Sequence, residues 1–325
     1  MPKARSRSIG GAAGDRGGGA EGPTVSTSTR IEWATKTWSP IIGCSRKSRG
    51  CDRCYAETFV HRGLRPEHRG LTVLRQSGVG WTGEVRFLPE RLTDPQRWRK
   101  PQRIFVNSLS DVFHEHLSHE KRLALLGAMV MAPQHVHMIL TKRPEVAVAF
   151  ERWLIAEGER RRMTFREMAL AAYAEAVGDR RDVRQLDASL PTHGHAWWIG
   201  VTAEDQEQAD KRIPLLLSLR LLPTLYFVSY EPALGPIEWR SGWMDAPESE
   251  RSLGWVIAGS ESGARRRQAE WSWFQETRAA CAEALVPYFF KQWIGPERKA
   301  PKVSLPEING RRWAQIPFAP ETFNA

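Results

Sequence analysis

The sequence predicts an α/β protein: a parallel (β/α) barrel of TIM type, full eight-stranded or partial, with a helical insertion. Three observations lead there. Short apolar runs rich in β-branched and aromatic residues recur along the chain. Each run ends in polar residues. Helical stretches with an apolar face separate the runs, and that alternation implies parallel βαβ units, because parallel neighbours need a crossover.

Residues 1–28 are rich in Gly, Ser, Ala and Arg and lack periodic apolar positions, which predicts a disordered tail. The composition changes at Ile31, and the barrel is expected over 29–295. Residues 31–33 and 37–42 read as short extended pieces. Residues 55–62 read as a helix ended by Gly63. A short strand at 83–88 and a helix near 92–98 follow.

Six clearer strands come next. They are Ile104-Phe105-Val106, Val136-His137-Met138-Ile139-Leu140, Trp197-Trp198-Ile199-Gly200-Val201, Leu225-Tyr226-Phe227-Val228, Trp255-Val256-Ile257-Ala258 and Tyr288-Phe289-Phe290. With strands near Thr37 and Val85 they make the eight of a closed barrel. Helices are expected at 118–131, with Ser118 as N-cap and Leu123, Leu126 and Val130 on one face, and again at 203–222 and 269–285. The rhythm breaks over about residues 145–195, where Arg160-Arg161-Arg162 and a helical stretch at 163–177 predict an inserted cap or partner surface. Residues 296–325 are expected to form a C-terminal tail on the barrel, with 308–318 suited to a small hairpin.

Composition bounds the partners. Apolar content of 41% with 14 Trp argues for a packed protein over a disordered one. The formal charge is +10, and 37 of the 47 cations are Arg, whose planar fork suits phosphate. A nucleic acid or nucleotide is therefore the expected partner class. No run approaches the ~18 apolar residues of a membrane span, and no signal-peptide core opens the chain. Three of the four cysteines crowd into one loop, which suits metal binding in a reducing compartment better than a disulfide framework. The expectation is a cytoplasmic protein without a membrane partner.

That loop, Gly43-Cys44-Ser45-Arg46-Lys47-Ser48-Arg49-Gly50-Cys51-Asp52-Arg53-Cys54-Tyr55, has C-x6-C-x2-C spacing. Cys44, Cys51 and Cys54 could hold zinc with a fourth ligand from His61 or Cys281. Cys281 sits among small residues of a helix and reads more readily as a buried inert thiol. Without a fourth ligand, the set suits a [4Fe-4S] cluster with one open iron. His114, His116 and His119 lack the i, i+4 spacing of a helical zinc pair.

A three-cysteine loop following the first strand of a parallel barrel resembles the radical S-adenosylmethionine (SAM) enzymes. The chain is most similar to one branch, the phage- and bacteria-encoded three-Cys-motif proteins. The likeness rests on Gly50-Cys51-Asp52-Arg53-Cys54-Tyr55-Ala56-Glu57, Ser229-Tyr230-Glu231-Pro232 and Gly259-Ser260-Glu261-Ser262-Gly263. Residues 31–33, 38–40, 43–44, 105–114, 140–145, 233–236 and 289–293 extend it. Two features depart from common radical SAM members: six residues separate the first two cysteines, and Arg53 replaces an aromatic before the third.

The resemblance implies a [4Fe-4S] cluster, SAM as cofactor and an external electron donor. It also implies a SAM site at the strand ends, where Asn107, Ser108, Asp111, Glu231, Ser260 and Glu261 could meet ribose and amino groups. Lys142, Arg143 and Lys291 could meet a carboxylate or substrate phosphate. The alternative is a non-catalytic, zinc-stabilised nucleic-acid-binding protein whose cysteine loop is structural.

Overall fold

Side chains alternate along a strand, and here the alternation sorts the core into two layers. The computed structural model describes residues 29, 31–76, 78–190, 196–247, 250–263, 265–297 and 300–317. The tail expected over 1–28 lies outside them. The elements in order are β1 (Lys36–Trp38), β2 (Ile41–Ile42), α1 (Tyr55–His61), β3 (Thr72–Arg75), β4 (Gly78–Trp81), β5 (Arg86–Phe87) and β6 (Arg103–Val106). Then come α2 (His119–Val130), β7 (Val136–Thr141), α3 (Pro144–Arg161), α4 (Phe165–Val177), α5 (Val183–Ala188), β8 (Ala196–Thr202) and α6 (Gln206–Ser218). The chain continues through β9 (Leu225–Tyr230), β10 (Leu253–Gly259), α7 (Trp271–Glu283), β11 (Tyr288–Ile294), β12 (Lys302–Ser304), β13 (Glu307–Ile308) and β14 (Arg311–Arg312).

Eight strands form one sheet in the order β1-β6-β7-β8-β9-β10-β11-β12. All pairs are parallel except β11 with β12. Among the described residues β1 and β12 do not pair, so the sheet stays open and the full eight-stranded closed barrel is not formed. The piece expected near Val85 explains the difference. It contributes only β5, which pairs antiparallel with β2 outside the main sheet. The eighth strand is instead β12, from the segment expected to be a tail. Beyond it, in place of the hairpin expected over 308–318, a shorter one forms over Glu307–Arg312 as β13–β14.

On one face, Ile104, Val106, Ile199, Val201, Val228 and Tyr230 pack beneath the helices. On the other, Phe105, Met138, Trp198, Phe227, Trp255 and Phe289 form a separate core. Trp33 and Ala34 from the N-terminal side, with Leu305 and Ile316 from the C-terminal side, pack there in place of helices. Burying each such large side chain contributes about 1.5–3 kcal/mol.

The helices follow their caps. Ser118 accepts from the Lys121 N–H at 3.3 Å to start α2. Thr164 and Glu167 form a capping box for α4, and Asp205 caps α6. The expected insertion is helical: α3, α4 and α5 all lie between β7 and β8. The helix expected near 92–98 is absent. Pro89 and Pro95 each open a short 3-10 turn instead, since proline lacks the N–H that would continue an α-helix through it.

Candidate metal centre and cavity

The cysteine loop leaves β2 through Gly43, at φ +97, where a Cβ would stand 2.2 Å from the Glu84 carbonyl oxygen. Only glycine fits that turn. The six residues between Cys44 and Cys51 carry the loop across several strand ends. Ser45 is held at the end of β7, where Arg143 Nη2 donates to its carbonyl at 2.8 Å and to its Oγ at 2.9 Å. The His114 ring meets the same Oγ at 2.9 Å. Ser48 donates to Glu204 Oε1 beyond β8 at 2.7 Å. Gly50 then passes so close that a Cβ would lie 2.1 Å from that carboxylate. Past Cys51, Arg53 Nη1 donates to Glu261 beyond β10 at 3.1 Å. The long spacer is the length needed to reach these anchors.

The Cys44 thiol lies in the electrostatic field of Cys54 and Cys51, and the Cys54 thiol in that of Cys51. Burial pushes the Cys44 thiol up to about 12, against the pull of Arg143. Burial also raises Cys54, against the N–H groups of Ala56 and Glu57 at the start of α1. Every sulfur has a donor beside it: Arg143 Nη1 stands 3.8 Å from Cys44 Sγ, and the Lys47 N–H 3.5 Å from Cys51 Sγ. Such donors suit thiolates bound to iron, where hydrogen bonds to sulfur tune the cluster. Among the described residues no three His, Cys, Asp or Glu side chains converge as a single metal ion would require.

The other candidate ligands are elsewhere. The His61 ring meets Thr72 Oγ1 at 3.2 Å on the surface. Cys281 is buried in the helix-side core. His119 stacks on Trp153 and bonds Arg122, apart from His114 and His116.

Beside the loop opens a cavity of about 760 Å³, within the range of small-molecule sites. Cys54 lines it, as do six of the polar residues expected at the strand ends: Ser108, Lys142, Glu231, Ser260, Glu261 and Lys291. Lys291 Nζ grips Glu231 at 2.7 and 2.9 Å, and Gln292 Nε2 adds a third bond at 3.1 Å. Glu261 accepts from Arg53 and from the backbone and guanidinium of Arg267.

Asn107 and Asp111 do not line the cavity. Asn107, at φ 60, accepts from the Ile41 N–H and so orients β2. Asp111 is consumed by the end of β7. It accepts from Thr141 Oγ1 at 2.7 Å, the Lys142 N–H at 3.0 Å and Arg143 Nη1 at 3.1 Å. Its service to the site passes through Arg143.

Sequence reasoning missed Trp33, Tyr55, Phe59, His68 and Lys302, all on the cavity wall. They come from segments with no strand-end signature. Only the aromatic pair spaced four apart in α1 offered a clue.

The family model described as "Protein of unknown function (DUF5131)" matches residues 28–317. No curated protein and no solved structure matches the chain. No helix among the described residues is long and apolar enough to cross a membrane.

Proposed function

The chain belongs to the DUF5131 family, and we propose that it is a radical-SAM-like iron–sulfur enzyme on a partial (β/α) barrel. One observation carries the reading. A loop with three thiols is pinned over the carboxyl ends of parallel strands, beside a cavity walled by polar strand-end residues. Barrel enzymes place their chemistry at that end.

Cys44, Cys51 and Cys54 would hold a [4Fe-4S] cluster, leaving one iron without a protein ligand. When bound, the cluster supplies one electron, taken from an external donor, that cleaves SAM to methionine and a 5′-deoxyadenosyl radical. The residues of the chain bind and orient. Arg143 keeps a buried positive charge against Cys44, offsetting the negative charge of thiolates. Ser108, Ser260, Glu231 and Glu261 offer the cavity hydroxyl, carbonyl and carboxylate groups for ribose and amino contacts. Lys142 and Lys291 offer cations for a carboxylate or phosphate. Trp33, Phe105 and Leu140 supply an apolar wall, which also excludes water from a radical. The basic charge of the chain favours a nucleic-acid or nucleotide substrate.

The test is anaerobic purification and reconstitution with iron and sulfide, followed by visible and reduced-state EPR spectra with and without SAM. The expected result is a coloured protein with four irons per chain and an EPR signal that moves on adding SAM. A colourless protein with one tightly bound zinc would remove this reading in favour of the structural-loop alternative.

A further inference from the structure

The net charge of the chain is not spread evenly. Residues 46–75 contain eight Lys and Arg against three carboxylates, half of the +10 excess in less than a tenth of the chain. This segment holds the cysteine loop, α1 and strand β3. All three carboxylates are already engaged, Glu57 by Arg46, Glu67 by Arg91 and Asp52 by Arg267. Arg62 and Arg69 are exposed, and neither has an ion pair among the described residues.

Two exposed aromatic rings belong to the same segment. Tyr55 is 55% exposed and Phe59 39%, yet both also line the cavity, so they form its rim. Spaced i, i+4, they lie on one face of α1. Each ring is pre-positioned. The Tyr55 hydroxyl donates to the Ser108 carbonyl at 2.7 Å, and the Phe59 ring leans on His68 with centroids 5.9 Å apart. A fixed, exposed aromatic pair is poor design for solvent but suits a flat heterocycle.

We propose that the rim formed by Tyr55 and Phe59, with the exposed Arg62 and Arg69 of the same segment, is a stacking platform for a single-stranded nucleic acid. Bases stack on the two rings, phosphates meet the arginines, and the strand is led to the cavity mouth. Interleaved aromatics and cations are the chemistry that holds single strands without reading sequence, whereas a duplex hides its base faces. The inference deepens the proposed function by naming the substrate class at the same cavity. The binding itself needs no cluster.

Fluorescence anisotropy tests it, with a labelled 20-nucleotide oligothymidylate and its oligouridylate counterpart on the full chain, both as purified and after iron–sulfide reconstitution. A duplex of equal length is the competitor. The expected result is single-strand binding at least tenfold tighter than duplex binding. Tyr55→Ala and Phe59→Ala should each weaken it about tenfold. Tyr55→Phe, which keeps the ring, should retain most of it. Arg62→Glu combined with Arg69→Glu should flatten the dependence of log affinity on log salt by about 0.7 per lost phosphate contact. These two arginines are exposed, so that variant reports even where an aromatic replacement disturbs α1.

Equal affinity for duplex and single strand would overturn the platform. So would binding that ignores both alanine variants, or capture of an acidic redox protein at this rim with no oligonucleotide bound. Single-strand binding by a zinc-loaded, iron-free protein would keep this inference and remove the radical chemistry. A SAM-responsive cluster with no oligonucleotide binding would do the reverse.

Discussion

Arg143 and Asp111 meet at 3.1 Å beneath the cysteine loop, and both are almost wholly buried. The pair joins the end of β7 to the first cysteine. Asp111 orients the guanidinium, which reaches Ser45 and Cys44. Breaking a buried pair strands a charge in low dielectric. Asp111→Ala should therefore destabilise the protein by about 3 kcal/mol, the low end for such pairs because Glu115 also binds Arg143 at 2.7 Å. Urea denaturation measures the loss, and iron content after reconstitution should fall with it. An unchanged midpoint would show that Glu115 alone suffices.

Gly50 gives a steric prediction. A Cβ there would meet Glu204, whose carboxylate is pinned by Ser48 at 2.7 Å and by Arg212 at 2.9 Å and cannot swing aside. Gly50→Ala should cost about 1–3 kcal/mol as an overpacked contact. It should also lower iron retention by lifting Cys51 from its place. Thermal melting and iron assay report the two effects separately.

The cysteines divide three against one. Replacing Cys44, Cys51 or Cys54 by Ala should abolish cluster incorporation, read as loss of visible absorbance. Cys281→Ala should leave iron content unchanged and lower stability by about 1 kcal/mol, since it trims a packed core position. Iron loss in that variant would reassign the fourth cysteine.

A pH dependence follows from His135, remote from the loop. Its Nδ1 accepts from the Gln102 N–H at 3.1 Å and its Nε2 faces the Pro95 carbonyl at 2.9 Å, an arrangement that needs a neutral ring. Burial lowers its pKa below the usual 6.5, with the Pro95 contact acting in the opposite direction. Below 6.5 the unfolded chain therefore binds a proton that the native ring refuses. The contribution of His135 is fully present above 6.5 and declines as pH falls through that value. His135→Gln should show a shallower fall in urea midpoint between pH 7 and pH 5 than the unsubstituted protein. Parallel curves would exclude the residue as a source of the slope.

Much of this architecture is legible in one dimension. Runs such as Trp197 to Val201 and Leu225 to Val228 are strands because both faces of the sheet are buried, which makes parallel strands continuously apolar. Ser118 and Thr164 mark helix starts by local hydrogen bonds that need no distant partner. The cysteine spacing singles out the loop, and the polar ends of strands single out Glu231, Glu261 and Lys291, because strand ends and cavity wall coincide in a parallel sheet.

Tertiary structure decided the rest. Whether β5 or β12 becomes the eighth strand depends on which edge each can reach, and two-residue and three-residue strands carry too little pattern to announce a partner. Asp111 could have faced the cavity or the end of β7, since a carboxylate looks the same in sequence whether it meets a ligand or a guanidinium. The hydrogen bond that fixes Tyr55 to the Ser108 carbonyl 53 residues away, and the anchoring of Ser48 to a carboxylate 156 residues away, arise from packing distant segments together. Local chemistry writes secondary structure and reactive groups into the chain, and contacts far apart in sequence determine which of those groups share one site.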